Sequence, residues 1–365
     1  MKLWFFLLLI AGSLRVLGQD VGIVPGKMKK EGIDAGIVGR LEGEIGRGVY
    51  PNIHSLLIAR HGKLVYERYW PGKDERLGDP LGVIAHGVDS LHDLRSVTKS
   101  FVGACIGIAI AEGKIKDVDV PVFSFFPEYA RFDTGMKAGL TIRHLLTMSS
   151  GLDWDENRPY NDTLNSEIAM DRSRDPIGYV LSRPMVHVPG TYWRYNGGTT
   201  EVLAAIIQKV STFPIDRFAW DHLFFPLGAH TVYWMNMPKT RRPSAAAGLR
   251  LRSRDMLKFG LLYANEGNWN GQSIIPSAWV DSSLTSHILR VEHGDGGYGF
   301  QFWTFTYTLK DGVFEIPAAV GNGDQRIFID RVHDLVVVIT SGKYNNWSEK
   351  MNANALMGQV YTAVQ

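Results

Sequence analysis

An α+β architecture is predicted, in which one antiparallel sheet is built from strands of both chain ends, is flanked by helices, and carries an inserted, mainly helical lobe. Three observations predict it. Residues 53–69, IHSLLIARHGKLVYERY, hold two β-rich runs around Arg60-His61-Gly62, the pattern of a hairpin. Four further strand-like runs, 298–308, 313–320, 325–330 and 335–341, lie near the far end with Gly or Asp between them. Helical patterns fill the middle, so the terminal strands pair with each other and the helices form a separate lobe. The expected boundaries are about 46–115 and 245–365 for the sheet lobe and about 116–244 for the helical lobe, within one domain spanning 19–365. A site then falls between sheet and lobe.

With 365 residues the chain can bury a large core, and 45% apolar, 11% aromatic and 21% charged residues match an ordinary globular enzyme rather than a disordered or low-complexity chain. Thirty-nine basic against 37 acidic residues leave a net charge of +2, too small and dispersed for a nucleic-acid surface, so a small-molecule substrate is expected. The single cysteine, Cys105, excludes an internal disulfide and reads as a small buried hydrophobe within 101–110. Residues 1–18 read as a secretory signal peptide: one lysine, an apolar run over 3–11, then small residues before Gln19. Arg15 interrupts that pattern, which leaves an uncleaved anchor or a buried N-terminal helix as the alternative. Roughly nine apolar residues are too few for a span, which needs ~20. The expectation is a periplasmic or secreted protein without stable membrane insertion after cleavage.

Residues 96–112 read as a buried helix, opened by Ser96-Val97-Thr98-Lys99, apolar on nearly every face and ended by Gly113. Nowhere else in the chain does a lysine follow a serine at three positions. That spacing puts both side chains on one helix face, within reach of each other. A serine at a helix N-terminus also meets the positive end of the macrodipole and free N–H groups able to hold an oxyanion. To accept the serine proton the lysine must be neutral, which burial and nearby cations promote. A helix-capping serine beside a surface lysine is the bland alternative, and the apolar helix argues against it by placing Lys99 next to a core.

Other hydrolase signatures are missing. There is no G-x-S-x-G elbow and no H-E-x-x-H, and the 11 histidines show no metal-ligand spacing, so no metal or cofactor is expected, and His86 and His92 read as loop or surface residues. The run 294–299, GDGGYG, fits G-x-G-x-x-G, yet an aromatic strand pattern follows it instead of a helix, so it reads as a turn.

Five segments in order then resemble the serine β-lactamase and DD-peptidase superfamily, in the branch of class C β-lactamases, family VIII carboxylesterases and 6-aminohexanoate-dimer hydrolases. They are LRSVTKSFVG (94–103), LTIRHLLTMSSGLDW (140–154), YNGGTTEVLAAII (195–207), the long run 249–280 and GNGDQRIFI (321–329), and the similarity covers about 50–345. The resemblance implies Ser96 as nucleophile, Lys99 as base and Tyr195 as the phenol that relays the serine proton; a cationic neighbour would bring its pKa into a usable range. By itself Tyr195 also reads as an aromatic packing beside Tyr192 and Trp193. The second motif usually reads Tyr-x-Asn, whereas here Tyr195-Asn196-Gly197 displaces the amide, with Asn196 as candidate substitute. The third motif usually carries Lys-Thr-Gly, or His or Trp with glycines; here Asn322, Gly323 and Asp324 stand there and the cation is missing. Gln325 falls where the family's second oxyanion N–H lies, opposite the amide of Ser96.

The resemblance therefore implies acyl transfer from an ester or amide through a Ser96 acyl-enzyme. A β-lactamase or DD-peptidase is the alternative enzyme, and a binding protein that kept the fold without turnover is the alternative of another class. Trp154 and Tyr160, in the Asp-, Arg- and aromatic-rich stretch 152–190, read equally as pocket walls or lobe core.

Overall fold

A computed structural model describes residues 22–290, 296–346 and 352–365. The leader read at 1–18 lies outside the described residues, as does the start of the glycine run at 294–299. Among the described residues, nine strands form one sheet in the order Val24–Pro25, Lys63–Tyr69, Ile53–Arg60, Leu335–Ser341, Gln325–Asp330, Gly312–Gly321, Trp303–Leu309, Gly297–Tyr298 and Ile288–Leu289. Every pairing is antiparallel except that of Val24–Pro25 with Lys63–Tyr69. The α+β class and the pairing of N-terminal with C-terminal strands are thus present: Leu57 lies opposite Val338 at the seam.

The central strands are apolar at almost every position because both faces are covered. Leu57, Ala59, Ile327, Ile329, Val336 and Val338 point into a core shared with helix Ser253–Ala264 and the helical lobe. Their alternates Leu56, Ile58, Phe328, Val337 and Ile339 point into a second core under the terminal helices Ala35–Gly46 and Ala353–Thr362. A period of two divided between two hydrophobic layers yields a continuous apolar run in sequence. The strand expected over 298–308 is instead broken at Gln301, whose φ of 64° turns the chain so that its buried amide reaches Leu145 O, Leu146 O and Thr200 Oγ1.

A 3₁₀ turn, Arg95–Val97, leads into helix Thr98–Ala111, which is buried from Thr98 to Ala109 and packs against helix Gly197–Ser211 at the boundary of sheet and lobe. Gly113 follows with a φ of 70°. Among the described residues no helix is long and apolar enough to cross a membrane. One expectation fails here. His92 is not a surface or loop residue; it lies on the strand Leu91–Asp93, paired with Leu249–Arg252, and is fully buried.

Candidate active site

Strand Leu91–Asp93 delivers the chain to the turn that carries Ser96. The amide of Leu94 donates to Leu249 O at 3.0 Å, and Arg95 takes a left-handed φ of 50°, unusual for a side chain of its size. Lys99, 1% exposed, reaches back so that its Nζ donates to Ser96 Oγ at 3.1 Å and to Ala246 O at 2.9 Å. The Tyr195 ring centroid lies 5.0 Å from Nζ, and the Tyr195 phenol is near enough to the Ser96 side chain for that group to pull its pKa down. Serine, lysine and tyrosine therefore converge, although Tyr195 is about a hundred positions away in the chain.

The electrostatics differ from those the sequence suggested. The charged neighbour of Lys99 is a carboxylate, Glu167 Oε2 at 3.9 Å, rather than a cation. Burial first and the Glu156 carboxyl second push the Tyr195 phenol well above its ordinary pKa, against the opposing bond from Ser96. Tyr195 is thus a neutral hydroxyl and not a phenolate.

Glu156 and Glu167 sit where the second motif has lost its amide. A Cβ on Gly197 would come within 2.2 Å of Glu167 Oε2 and 3.1 Å of Glu156 Oε1, so the space of the missing side chain is filled by two carboxyl groups. Glu156 accepts from the Gly197 amide and, at 2.5 Å, from Trp154 Nε1. Glu201 accepts from the Ala246 amide at 2.9 Å, so that residue offers its carbonyl to Lys99 and its N–H to an acid. Asn196 is not the substitute expected: its Oδ1 caps helix Gly197–Ser211 by accepting from Thr199 N at 3.1 Å, and it does not line the cavity. The start of a helix needs that acceptor more than the cavity does.

These acids hold their protons unusually well. Burial, with Glu167 next in weight, raises Glu156 well above its ordinary value; burial chiefly brings Glu201 up to about 7 and half-buried Asp171 up to about 8. The unfolded chain releases such protons near pH 4, so between there and pH 8 the folded state binds more of them. Stability is therefore expected to fall as pH rises through that window, by on the order of 3 kcal/mol for Glu201 alone. Glu201→Gln keeps the shape and the bond to Ala246, and should flatten the decline; thermal melts from pH 5 to 8 test this, and an unchanged slope would show that Glu201 does not titrate there.

A cavity of about 590 Å³ opens over Ser96, walled by Trp154, Tyr160, Trp193, Tyr195 and Trp303 and by Asn322, Arg290 and Arg326. Trp154 satisfies both earlier readings, since it lines the cavity and is only 1% exposed, packed edge-on to Tyr179. Asn322 lines the opposite wall, where its Nδ2 donates to Asn345 Oδ1 at 2.7 Å and its Oδ1 accepts from Asn345 N at 2.8 Å. Gly323 and Asp324 do not line the cavity. Asp324, with φ 66°, faces Arg326 at 3.2 Å and Lys343 at 3.4 Å and accepts from Ala353 N at 3.3 Å, so its charge is neutralised away from the pocket. Buried Arg326 gives its other donors to Gly321 O, Gln325 O and Asn354 Oδ1. The Gln325 side chain is turned into the sheet, donating to Ser341 O at 2.5 Å, while the strand it opens packs against the Ser96 turn.

Sequence reasoning missed Glu156, Glu167, Glu201 and Trp303. The first two lie in the polar stretch 152–190, where the abundance of acids was the available signal; Glu201 read as one more residue of a helix.

Comparisons with known proteins bear on the family and the fold. The Beta-lactamase family profile matches residues 47–360. The 6-aminohexanoate-dimer hydrolase of Paenarthrobacter ureafaciens is 26% identical over 279 residues, which cover 72% of this chain and 67% of that protein. Esterase EstB of Burkholderia gladioli is 30% identical over 180 residues, covering 47% of this chain and only 44% of the esterase. The crystal structure of a penicillin-binding protein homologue from Caulobacter crescentus superposes with a TM-score of 0.70 at 17% identity, over 94% of this chain and 99% of that one, and so shares the fold. Profile, relatives and architecture agree: the chain belongs to the beta-lactamase family.

Proposed function

We propose that the protein is a serine acyl hydrolase acting on small esters or amides. The observation that carries this reading is Lys99, a buried lysine whose amine meets Ser96 Oγ at 3.1 Å. In return for leaving water Lys99 gains two hydrogen bonds, to Ser96 Oγ and Ala246 O, and a carboxylate 3.9 Å away, and buried charge pairs of this kind add little net stability. In the reaction Ser96 Oγ attacks the acyl carbonyl as its proton passes to neutral Lys99, and the amides of Ser96 and Gln325 receive the oxyanion. Tyr195 hands its proton to the departing alcohol or amine as it takes the proton now held by Lys99, so that both side chains return to their starting states. Water then attacks the acyl-enzyme by the same route in reverse, releasing the acid and restoring Ser96. The names of the relatives, an amide-dimer hydrolase and an esterase, support this substrate class. A fluorophosphonate probe tests it: one adduct, mapped to Ser96, is expected, and a protein that stays unlabelled under turnover conditions is a binding protein instead.

Substrate preference follows from where the cations point. Arg326 and Lys343 both face Asp324, Arg290 donates to Gly297 O and Thr304 O, and Arg194 donates to Trp154 O. A substrate carboxylate arriving at the third motif meets the neutral amides of Asn322 and Asn345 rather than a charge-assisted donor. We expect kcat/KM for p-nitrophenyl butyrate to exceed that for a chromogenic cephalosporin by at least about tenfold, roughly 1.4 kcal/mol of transition-state preference. Equal or better cephalosporin turnover would make the protein a β-lactamase and this reading of the third motif wrong.

A further inference from the structure

Away from the Ser96 cavity, four side chains with metal-ligating chemistry meet: His54 on strand Ile53–Arg60, Asp74 on strand Gly72–Arg76, His92 on strand Leu91–Asp93, and His86 in the connection between. One ligand-type atom from each lies within 4.8 Å of all the others. The rings of His54 and His86 stack at 3.9 Å, and that of His92 lies 4.8 Å from His86. His54 and His92 are fully buried, yet His54 Nδ1 and both ring nitrogens of His86 and of His92 have no hydrogen-bond partner. Five imidazole nitrogens withdrawn from water without partners are a heavy cost for a structure that gains only packing from them.

Each residue is also set up as a ligand. His54 Nε2 lies 3.0 Å from Lys73 O, which makes Nε2 the protonated nitrogen and directs the Nδ1 lone pair inward, the arrangement by which a backbone carbonyl orients a metal-bound imidazole. Hydrogen bonds from Glu75 N at 2.9 Å and Tyr344 Oη at 3.0 Å both fall on Asp74 Oδ1, which orients the carboxylate. The nearby cation Arg250 is engaged by Asp93 at 2.9 Å.

We propose that His54, Asp74, His86 and His92 form a closed structural site for a zinc-type divalent ion. Three imidazoles and one carboxylate match zinc in both ligand type and number, and the four protein ligands leave no open coordination position for chemistry. In such a tetrahedron, ligand atoms stand about 3.3 Å apart, given bonds of about 2.0 Å, so the present set, within 4.8 Å, must draw closer as the stacked His54 and His86 rings turn toward the ion. Through Asp74 the ion would hold Tyr344, whose ring packs so close to the third-motif turn that a Cβ on Gly323 would come within 2.5 Å of it, and which lies 5.0 Å under the guanidinium of Arg95, next to Ser96. The metal thus positions the nucleophile turn without touching substrate. The absence of any known ligand spacing in the sequence is no objection, because the four residues come from three different sheets and a connection and are gathered by tertiary packing.

The test uses the full chain without a polyhistidine tag, stripped with a chelator and then given Zn(II). We expect one zinc per chain by elemental analysis after removal of excess metal, and a melting temperature that rises on zinc addition. His86→Ala, in a partly exposed connection, and Asp74→Asn, which retains the bonds from Glu75 and Tyr344, should each weaken zinc binding at least about hundredfold in a competition assay while remaining folded by circular dichroism. Substituted Co(II) should give the intense visible bands of a tetrahedral site. Stoichiometry far below one, or zinc bound equally tightly by both variants, would overturn the assignment, and an octahedral cobalt spectrum would overturn its closed geometry.

Discussion

Ser96→Ala is expected to lower ester turnover by at least about 10³-fold, since removing a covalent nucleophile leaves only what binding and the oxyanion donors supply. Ser96 Oγ is the atom on which the Lys99 amine and the Tyr195 hydroxyl both converge, and no other described side chain is placed to take its part. The fold should survive. Only a hydroxyl at the surface of a 3₁₀ turn is lost, and Lys99 keeps its bond to Ala246 O. Steady-state kinetics with p-nitrophenyl butyrate, alongside a thermal melt, separate the two effects. Turnover like that of the parent protein would end the proposal of a Ser96 acyl-enzyme.

Lys99→Met should cost a similar factor and also change stability. Methionine fills nearly the same volume in the buried helix, but the proton acceptor disappears, and Ala246 O and Glu167 lose their cationic partner. Both acylation by ester and labelling by fluorophosphonate should slow, because both need the Ser96 proton removed. In the parent protein the rate should climb above pH 7, toward the neutral amine. A Met variant that retained most activity, or a rate flat from pH 5 to 9, would exclude lysine as the base.

What the sequence determined by itself was carried by short-range patterns. The hairpin over 53–69, the C-terminal strands and the buried helix after Ser96 follow from apolar runs and turn residues a few positions apart, and the Ser96–Lys99 contact needs only i,i+3 geometry. Tyr195 became legible through resemblance, because nothing local sets a catalytic tyrosine apart from a packed one. Tertiary structure alone decided which way the polar side chains turn. Asn196 caps a helix, Asp324 faces Arg326 and Lys343 instead of the cavity, and Glu156 and Glu167 fill the space above Gly197 from a loop and a short helix some thirty to forty positions away. His54, Asp74, His86 and His92 met for the same reason, brought together by the packing of three separate sheets that no ligand spacing announces. A polar side chain in a core takes the rotamer in which its donors and acceptors find partners, and those partners belong to distant segments.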